Sequence, residues 1–268
     1  MIWFLVILLI VLVYLWMLCG RTRHPSWDKL RGFAYAHRGL HGNGVPENSM
    51  AAFRLALEKG YGIELDVHLM KDGTLAVIHD TSLKRTAGAD VKIEDLTPAD
   101  LELFRLEGTE ERIPLLSQVL SLYHGQAPLI IELKSAGNNA PALCRAVCDM
   151  LSDYKGAYCI ESFDPRCIAW LKKNRPKILR GQLSANFLKE KSHLKPWPLR
   201  LAMTANLVNC AGRPDFIAYD FFSRKRLGVF LCRKLWKIQG VAWTIRTQED
   251  LDTAVREGWI PIFEGFCP

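Results

Sequence analysis

No glycine-rich strand-to-helix loop of the dinucleotide-binding or P-loop kind occurs in this chain, which removes the commonest nucleotide-dependent chemistries. No internal repeat and no low-complexity tract appears, so solenoids, propellers and disordered linkers are excluded. The eight cysteines build no zinc pattern. Cys144 and Cys148 lie four apart, but no histidine or second close pair completes a site. A nucleic-acid-binding motif with the expected spacing is also missing, and no nucleic-acid partner is expected. The net charge of +7 therefore suits a phosphate substrate, an anionic membrane or a solvated face. Basic residues are densest between Lys172 and Arg200 and between Arg224 and Lys237.

Charge is absent from Ile2 to Cys19, the run IWFLVILLIVLVYLWMLC. Eighteen helical residues rise about 27 Å, near the hydrocarbon thickness of a bilayer. A cleaved signal peptide would want a basic start, a shorter apolar stretch and small residues at the cut. Here no lysine or arginine precedes the run, and Trp16, Met17 and Leu18 stand before Cys19. The run predicts a retained transmembrane helix over 1–19, followed by a basic linker over 20–32. Arg21, Arg23, Lys29 and Arg31 follow it, and the positive-inside tendency places the rest of the chain in the cytoplasm. The expectation is a single-pass protein of the cell membrane. Cysteines read as reduced thiols agree with that compartment.

From residue 33 to 268, short β-rich runs alternate with helical stretches. Expected strands are Phe33–His37, Gly62–Leu69, Leu75–His79, Leu129–Lys134, Ala157–Phe163, Leu179–Leu183, Phe216–Asp220, Val241–Ile245 and Pro261–Glu264. Lys71-Asp72-Gly73 is a tight-turn signal that folds the second and third runs into one hairpin, leaving eight principal strands. Asn48 or Ser49 can cap a helix that ends before Gly60. Thr97 and Thr247 each open a capping-box spacing, and Gly258 closes the second of those helices. Eight strands alternating with helices predict an α/β chain of the (β/α)8 TIM barrel type, with an open doubly wound sheet as the alternative.

Glu64 and Asp66 stand two apart in the apolar strand IELDV and so share one face. Buried carboxylates are costly unless a cation or donors compensate. Glu132 repeats the arrangement in IIELK, with Lys134 on its face. One such carboxylate alone reads as a surface ion pair. Three at strand C-terminal ends make an oxygen-lined site suited to Mg²⁺ or Ca²⁺. His37 and His79 each close a strand, and their ordinary pKa suits general acid and base work. Arg38 and Lys134 add positive charge for a phosphate. Singly, each histidine, like His41 and His68, reads as a satisfied structural residue. The combination carries the weight.

These residues carry a resemblance. AHRG at 36–39, PENS at 46–49, ELDV at 64–67, KDG at 71–73 and HD at 79–80 resemble the glycerophosphodiester phosphodiesterase family in order and in spacing. IELK at 131–134, ESFD at 161–164 and AWTI at 242–245 are similar to its later strand motifs. The resemblance spans about residue 34 to 267. It implies a TIM barrel hydrolysing phosphodiesters of glycerol with one divalent cation. By position, it implies His37 and His79 as the acid/base pair, Arg38 on the phosphate, Glu64, Asp66 and Glu132 on the metal, and Lys134 stabilising charge. It also implies an insertion at about 80–113 shaping the cleft, with Glu47, Asn48, Trp243 and Glu264 at the substrate. One departure stands out: Ile262-Phe263-Glu264-Gly265-Phe266 ends the last strand where related proteins usually carry aspartate or asparagine.

The resemblance implies a metal-dependent enzyme releasing sn-glycerol 3-phosphate and an alcohol from a small, lipid-derived phosphodiester. Two other enzymatic readings are a lysophospholipase D and a polyglycerol-phosphate hydrolase. A reading from another class is a catalytically silent, membrane-tethered binding protein, against which both histidines and all three carboxylates count.

Overall fold

Each strand run is apolar enough to be covered on its outer side, and the helices between them supply the cover. The computed structural model describes residues 1–189 and 196–268, so part of the basic stretch between Lys172 and Arg200 lies outside the described residues. Eight strands are parallel: β1 (Tyr35–His37), β2 (Gly62–Leu69), β4 (Leu129–Leu133), β5 (Tyr158–Ser162), β6 (Arg180–Ser184), β7 (Phe216–Asp220), β8 (Gln239–Ile245) and β9 (Trp259–Phe263). They pair in that order, and β1 pairs with both β2 and β9, closing the ring into a (β/α)8 barrel. The ninth strand, β3 (Leu75–Val77), runs antiparallel against β2 as the turn at 71–73 predicts. Ends differ by a residue or two from expectation: β1 begins at Tyr35, and β9 covers Trp259–Phe263.

Local signals set the helices. Ser49, rather than Asn48, caps the helix Met50–Glu58, its side chain accepting from the Ala52 N–H. Asp100 Oδ2 accepts from the Thr97 N–H at 2.8 Å and from its hydroxyl at 2.7 Å, one half of a capping box. Thr247 accepts from the Asp250 N–H at the start of Gln248–Arg256. The helix Ala140–Met150 buries Leu143, Cys144 and Val147 on one face against the strands.

Inside the barrel, Ile130 and Cys159 lie in an apolar cluster with Tyr35, Phe216 and Ile262. Glu132 and Glu161 follow Ile130 and Cys159 by two residues and so face the same way. The carboxylates therefore stand on an apolar floor at the C-terminal ends of the strands. The chain after β3 packs a small core of its own, Ile78, Leu83, Ile93 and Leu106 closing over Met70 and Ala76 of the hairpin.

The apolar N-terminus does not form the transmembrane helix its composition predicts. Helix α1 (Ile2–Leu18) has 17 residues and ends where Cys19 turns to extended backbone. It rises about 25 Å, short of the roughly 30 Å hydrocarbon layer. Its last turn is occupied by the barrel: Leu18 is fully buried, Trp236 Nε1 donates to the Leu15 carbonyl at 3.0 Å, and Arg213 lies 4.4 Å over the Trp16 ring. Among the described residues no helix is long and apolar enough to cross a membrane. The single-pass localisation, the membrane as partner and the assignment of a membrane side lose their basis with that span.

Candidate active site

Where β1 ends, the backbone turns sharply. Arg38 and Gly39 take φ of +53° and +80°. A Cβ on Gly39 would fall 2.8 Å from Ala52 Cβ, so both conformation and space require glycine there. The turn sends the His37 side chain to the barrel mouth and leaves the Arg38 N–H to donate to Glu64 Oε2 at 3.2 Å. Arg38 Nη1 holds Glu47 at 3.0 and 3.1 Å, and Arg85 holds the other side of Glu47 at 3.0 and 2.6 Å. Asn48, at φ +51°, donates from Nδ2 to Asp66 Oδ2 at 2.9 Å. Glu47 and Asn48 thus stand behind Arg38 and Asp66 and orient them.

Parallel register places Asp66 of β2 opposite Glu132 of β4, and Glu132 opposite Glu161 of β5. Oxygens of Glu64, Asp66 and Glu132 all lie within 4.8 Å of one another, and all three residues are buried. Lys134 Nζ sits 3.1 Å from Asp66 Oδ1 and 2.8 Å from Glu132 Oε1. The electrostatics follow. Burial, then Asp66, Glu132 and Glu161, hold the Glu64 carboxyl well above the usual carboxylate range. Burial likewise pushes Glu132 up to about 7, against the pull of Lys134. Burial also acts against the Asp66 carboxylate, but Lys134, His79 and Arg38 outweigh it, and the group stays well below its ordinary value. Burial opposes the Lys134 charge too, yet Asp66 and Glu132 hold the ammonium protonated.

The residues fit a hard divalent cation. Asp66 Oδ1 accepts no hydrogen bond despite the nearby ammonium, and three carboxylates share one buried pocket with too little positive charge. An ion held by Glu64, Asp66 and Glu132 would supply that charge.

Both histidines are fixed through Nδ1. His37 Nδ1 donates to Glu264 Oε2 at 3.2 Å, and His79 Nδ1 donates to Asp80 Oδ1 at 2.6 Å. Their Nε2 atoms are left for the cavity, with His37 Nε2 lying 3.8 Å from Glu64. Burial lowers the pKa of His37, partly offset by Glu264. Burial, with Lys134 and Arg38 nearby, lowers His79 to about 4. Both are neutral bases near pH 7 in the free protein. The His37 hydrogen bond holds Glu264 down to about 2.

His37, Arg38, Glu64, His79, Glu132, Trp243 and Glu264 line one cavity of about 270 Å³. Lys134 faces a second, adjoining cavity of about 600 Å³ that His79 and Glu132 also line. Two charged residues lining the first cavity carry no expectation from the sequence. Glu161 is buried with Oε2 unpartnered, and burial beside Glu132 and Asp66 holds its carboxyl well above the usual range. Its place two residues after Cys159 in ESFD repeats the spacing of Glu132 after Ile130, a signal that could have marked it. Arg246 donates from Nη2 to Glu264 Oε2 at 3.0 Å, with no motif to announce it.

Comparison with known proteins agrees with this geometry. A model of the glycerophosphoryl diester phosphodiesterase family matches residues 37–264. The chain is 30% identical over 247 residues to a glycerophosphodiester phosphodiesterase of Caldanaerobacter subterraneus, covering 85% of this chain and 92% of that protein. It is 35% identical over 133 residues to a lysophospholipase D of Rattus norvegicus, covering 45% of this chain and 41% of that protein. Among solved structures, an Oleispira antarctica phosphodiesterase in complex with the product sn-glycerol-3-phosphate superposes with a TM-score of 0.71 at 23% identity, over 91% of this chain and 95% of that one.

Proposed function

The chain belongs to the glycerophosphoryl diester phosphodiesterase family, and on that premise we propose that it hydrolyses glycerophosphodiesters to sn-glycerol 3-phosphate and an alcohol by His37/His79 acid–base catalysis. Glycerophosphodiester phosphodiesterase activity itself follows from the family match and the near full-length relative. The finer reading rests on one observation: two Nδ1-anchored histidines open onto the same cavity as the buried carboxylates Glu64 and Glu132.

In this reading Glu64, Asp66 and Glu132 hold one hard divalent cation, Mg²⁺ or Ca²⁺, which when bound adds charge stabilisation for the phosphate. Arg38 and Lys134 flank the same position and neutralise the phosphodiester and the charge that develops on it. Glu47, bridging Arg38 and Arg85, keeps the Arg38 guanidinium from folding away. One histidine takes the proton of the attacking hydroxyl, either the glycerol 2-hydroxyl or water. The other, charged once the anionic substrate offsets Lys134 and Arg38, gives a proton to the leaving alkoxide. Glu264 and Asp80 stabilise each imidazolium as it forms. Trp243, edge-on to Phe163 at 5.7 Å, covers the apolar wall of the cavity.

The decisive test is His37→Ala assayed on glycerophosphocholine and bis(p-nitrophenyl) phosphate with Mg²⁺ or Ca²⁺ supplied alone. Turnover is lost while the fold survives; near-normal turnover sinks the assignment. A second reading, lysophospholipase D, is favoured by the adjoining cavity, whose wall carries Leu133, Phe163, Pro165, Leu199 and Met203. That wall would take an acyl chain. Comparing acylated with water-soluble glycerophosphodiesters separates the two.

A further inference from the structure

A second group of ligand atoms lies on the far side of His37 from the carboxylates. His41 Nε2 is 3.7 Å from Glu264 Oε1, and His37 Nδ1 is 3.2 Å from Glu264 Oε2. One ligand atom from each of His37, His41 and Glu264 falls within 4.8 Å of the others. We propose that these three residues form a second, inhibitory site for a borderline-soft divalent cation such as Zn²⁺.

Three observations carry this. First, the donor set differs from the carboxylate cluster. Two imidazoles and one carboxylate suit zinc, whereas all-oxygen sites suit magnesium or calcium. Second, the spacing is right. Zinc bonds of about 2.0–2.2 Å in a tetrahedron put neighbouring ligand atoms roughly 3.3–3.6 Å apart; His41 Nε2 already lies 3.7 Å from Glu264 Oε1, and one atom of His37 lies within 4.8 Å of both other residues' ligand atoms. Third, His41 Nε2 is buried and has no hydrogen-bond partner, although it points at an ionised carboxylate. Its backbone is already pinned. The His41 N–H donates to the Gly39 carbonyl at 3.0 Å, and the next residue, Gly42, pairs with Val45 across a tight loop.

Arg246 opposes the site through its hydrogen bond to Glu264 Oε2. Its side chain is 59% exposed, so its charge is screened and the guanidinium can turn to solvent. Glu264 Oε1 stays free for the ion.

Zinc on His37 takes the lone pair of Nδ1, so the single ring proton of the neutral imidazole moves from Nδ1 to Nε2, the atom that faces Glu64 and the cavity, with no net release of a proton. An imidazole in that form cannot accept a proton at Nε2, so hydrolysis stops. This consequence rests on the role of His37 under Proposed function; the site itself does not.

The test uses the full chain with Mg²⁺ saturating the carboxylate cluster. Calorimetric titration with ZnCl₂ shows one equivalent bound, and the same zinc inhibits hydrolysis without being relieved by further Mg²⁺. His41→Ala, and His41→Gln as a second variant that keeps side-chain length, retain Mg²⁺-dependent turnover. Both lose zinc affinity by roughly tenfold or more, and their inhibition curves shift by the same factor. Equal zinc affinity in both His41 variants overturns the proposal. So does zinc binding that Glu132→Gln removes, since the ion then occupied the carboxylates. If the wild type binds zinc through His41 but hydrolyses no glycerophosphodiester, the proposed function fails while the site stands.

Discussion

Glu132→Gln in the metal-free protein tests the electrostatics of the site directly. Burial raises the Glu132 carboxyl from its ordinary 4.5 to about 7. The sign is then set. The proton is held more tightly in the folded state, so that stabilisation is complete below pH 4.5 and is lost as pH rises through about 7. At pH 8 the folded state carries a buried carboxylate, and the displacement is worth about 3 kcal/mol of lost stability. Glutamine keeps the shape and removes the charge. It should therefore raise metal-free stability by about 3 kcal/mol at pH 8 but by under about 1 kcal/mol at pH 5, where the wild-type carboxyl is already protonated. For a chain of this size that is a melting shift of roughly 6–12 °C at pH 8 and far less at pH 5. Glu132 is not among the charges that shift His37 and His79, so their opposite pH trends are shared by the two proteins and drop out of the difference. Calorimetry in EDTA reads the shift. In saturating Mg²⁺ the order reverses, because only the wild type gains from binding. Equal shifts at the two pH values, or a destabilised variant at pH 8, would refute the reasoning.

Lys134→Ala removes the ammonium between Asp66 and Glu132 and should cost about 3 kcal/mol in EDTA, since it leaves a buried charge unpaired; added divalent cation should restore part of that loss in a thermal melt. Glu264→Gln keeps a hydrogen bond to His37 but loses the charge behind the imidazolium, so kcat should fall about 10- to 100-fold with little change in KM. In the same variant the stability that Glu264 contributes above pH 4.5, lost as pH falls through about 2, should disappear from acid-unfolding curves. Leu199→Glu charges the wall of the adjoining cavity at a partly exposed position, and under the lysophospholipase D reading it should slow acylated substrates while sparing glycerophosphocholine; equal effects on both substrates reject an acyl site there.

Much of the barrel was legible in the chain because its signals are local. Alternation of apolar runs with capped helices predicts every strand, and spacing by two puts Glu64 with Asp66 on one face without knowledge of any neighbour. The turn AHRG is equally local, since Gly39 answers to its own φ and to Ala52 on the next helix. Helix α1 shows where this stops. Hydropathy alone counts Leu18 and Cys19 toward a span, whereas Trp236 and Arg213, some two hundred residues on, claim that last turn for the barrel.

The amino-acid sequence by itself determined the strand and helix order, the carboxylates on β2 and β4, the two histidines at strand ends and hence the class of reaction. Only the tertiary structure decided what each of those groups has beside it. Glu264 reaches His37 across 227 residues because β1 and β9 are neighbours only once the ring closes. Glu161 joins the carboxylate layer through the register of β5 on β4, and Arg246 meets Glu264 through the pairing of β8 with β9. Proton affinities follow from such neighbours, Lys134 and Asp66 acting on buried Glu132 and His79, and His37 and Arg246 on Glu264, because burial and nearby charge act over a few ångströms of space, whatever the separation along the chain.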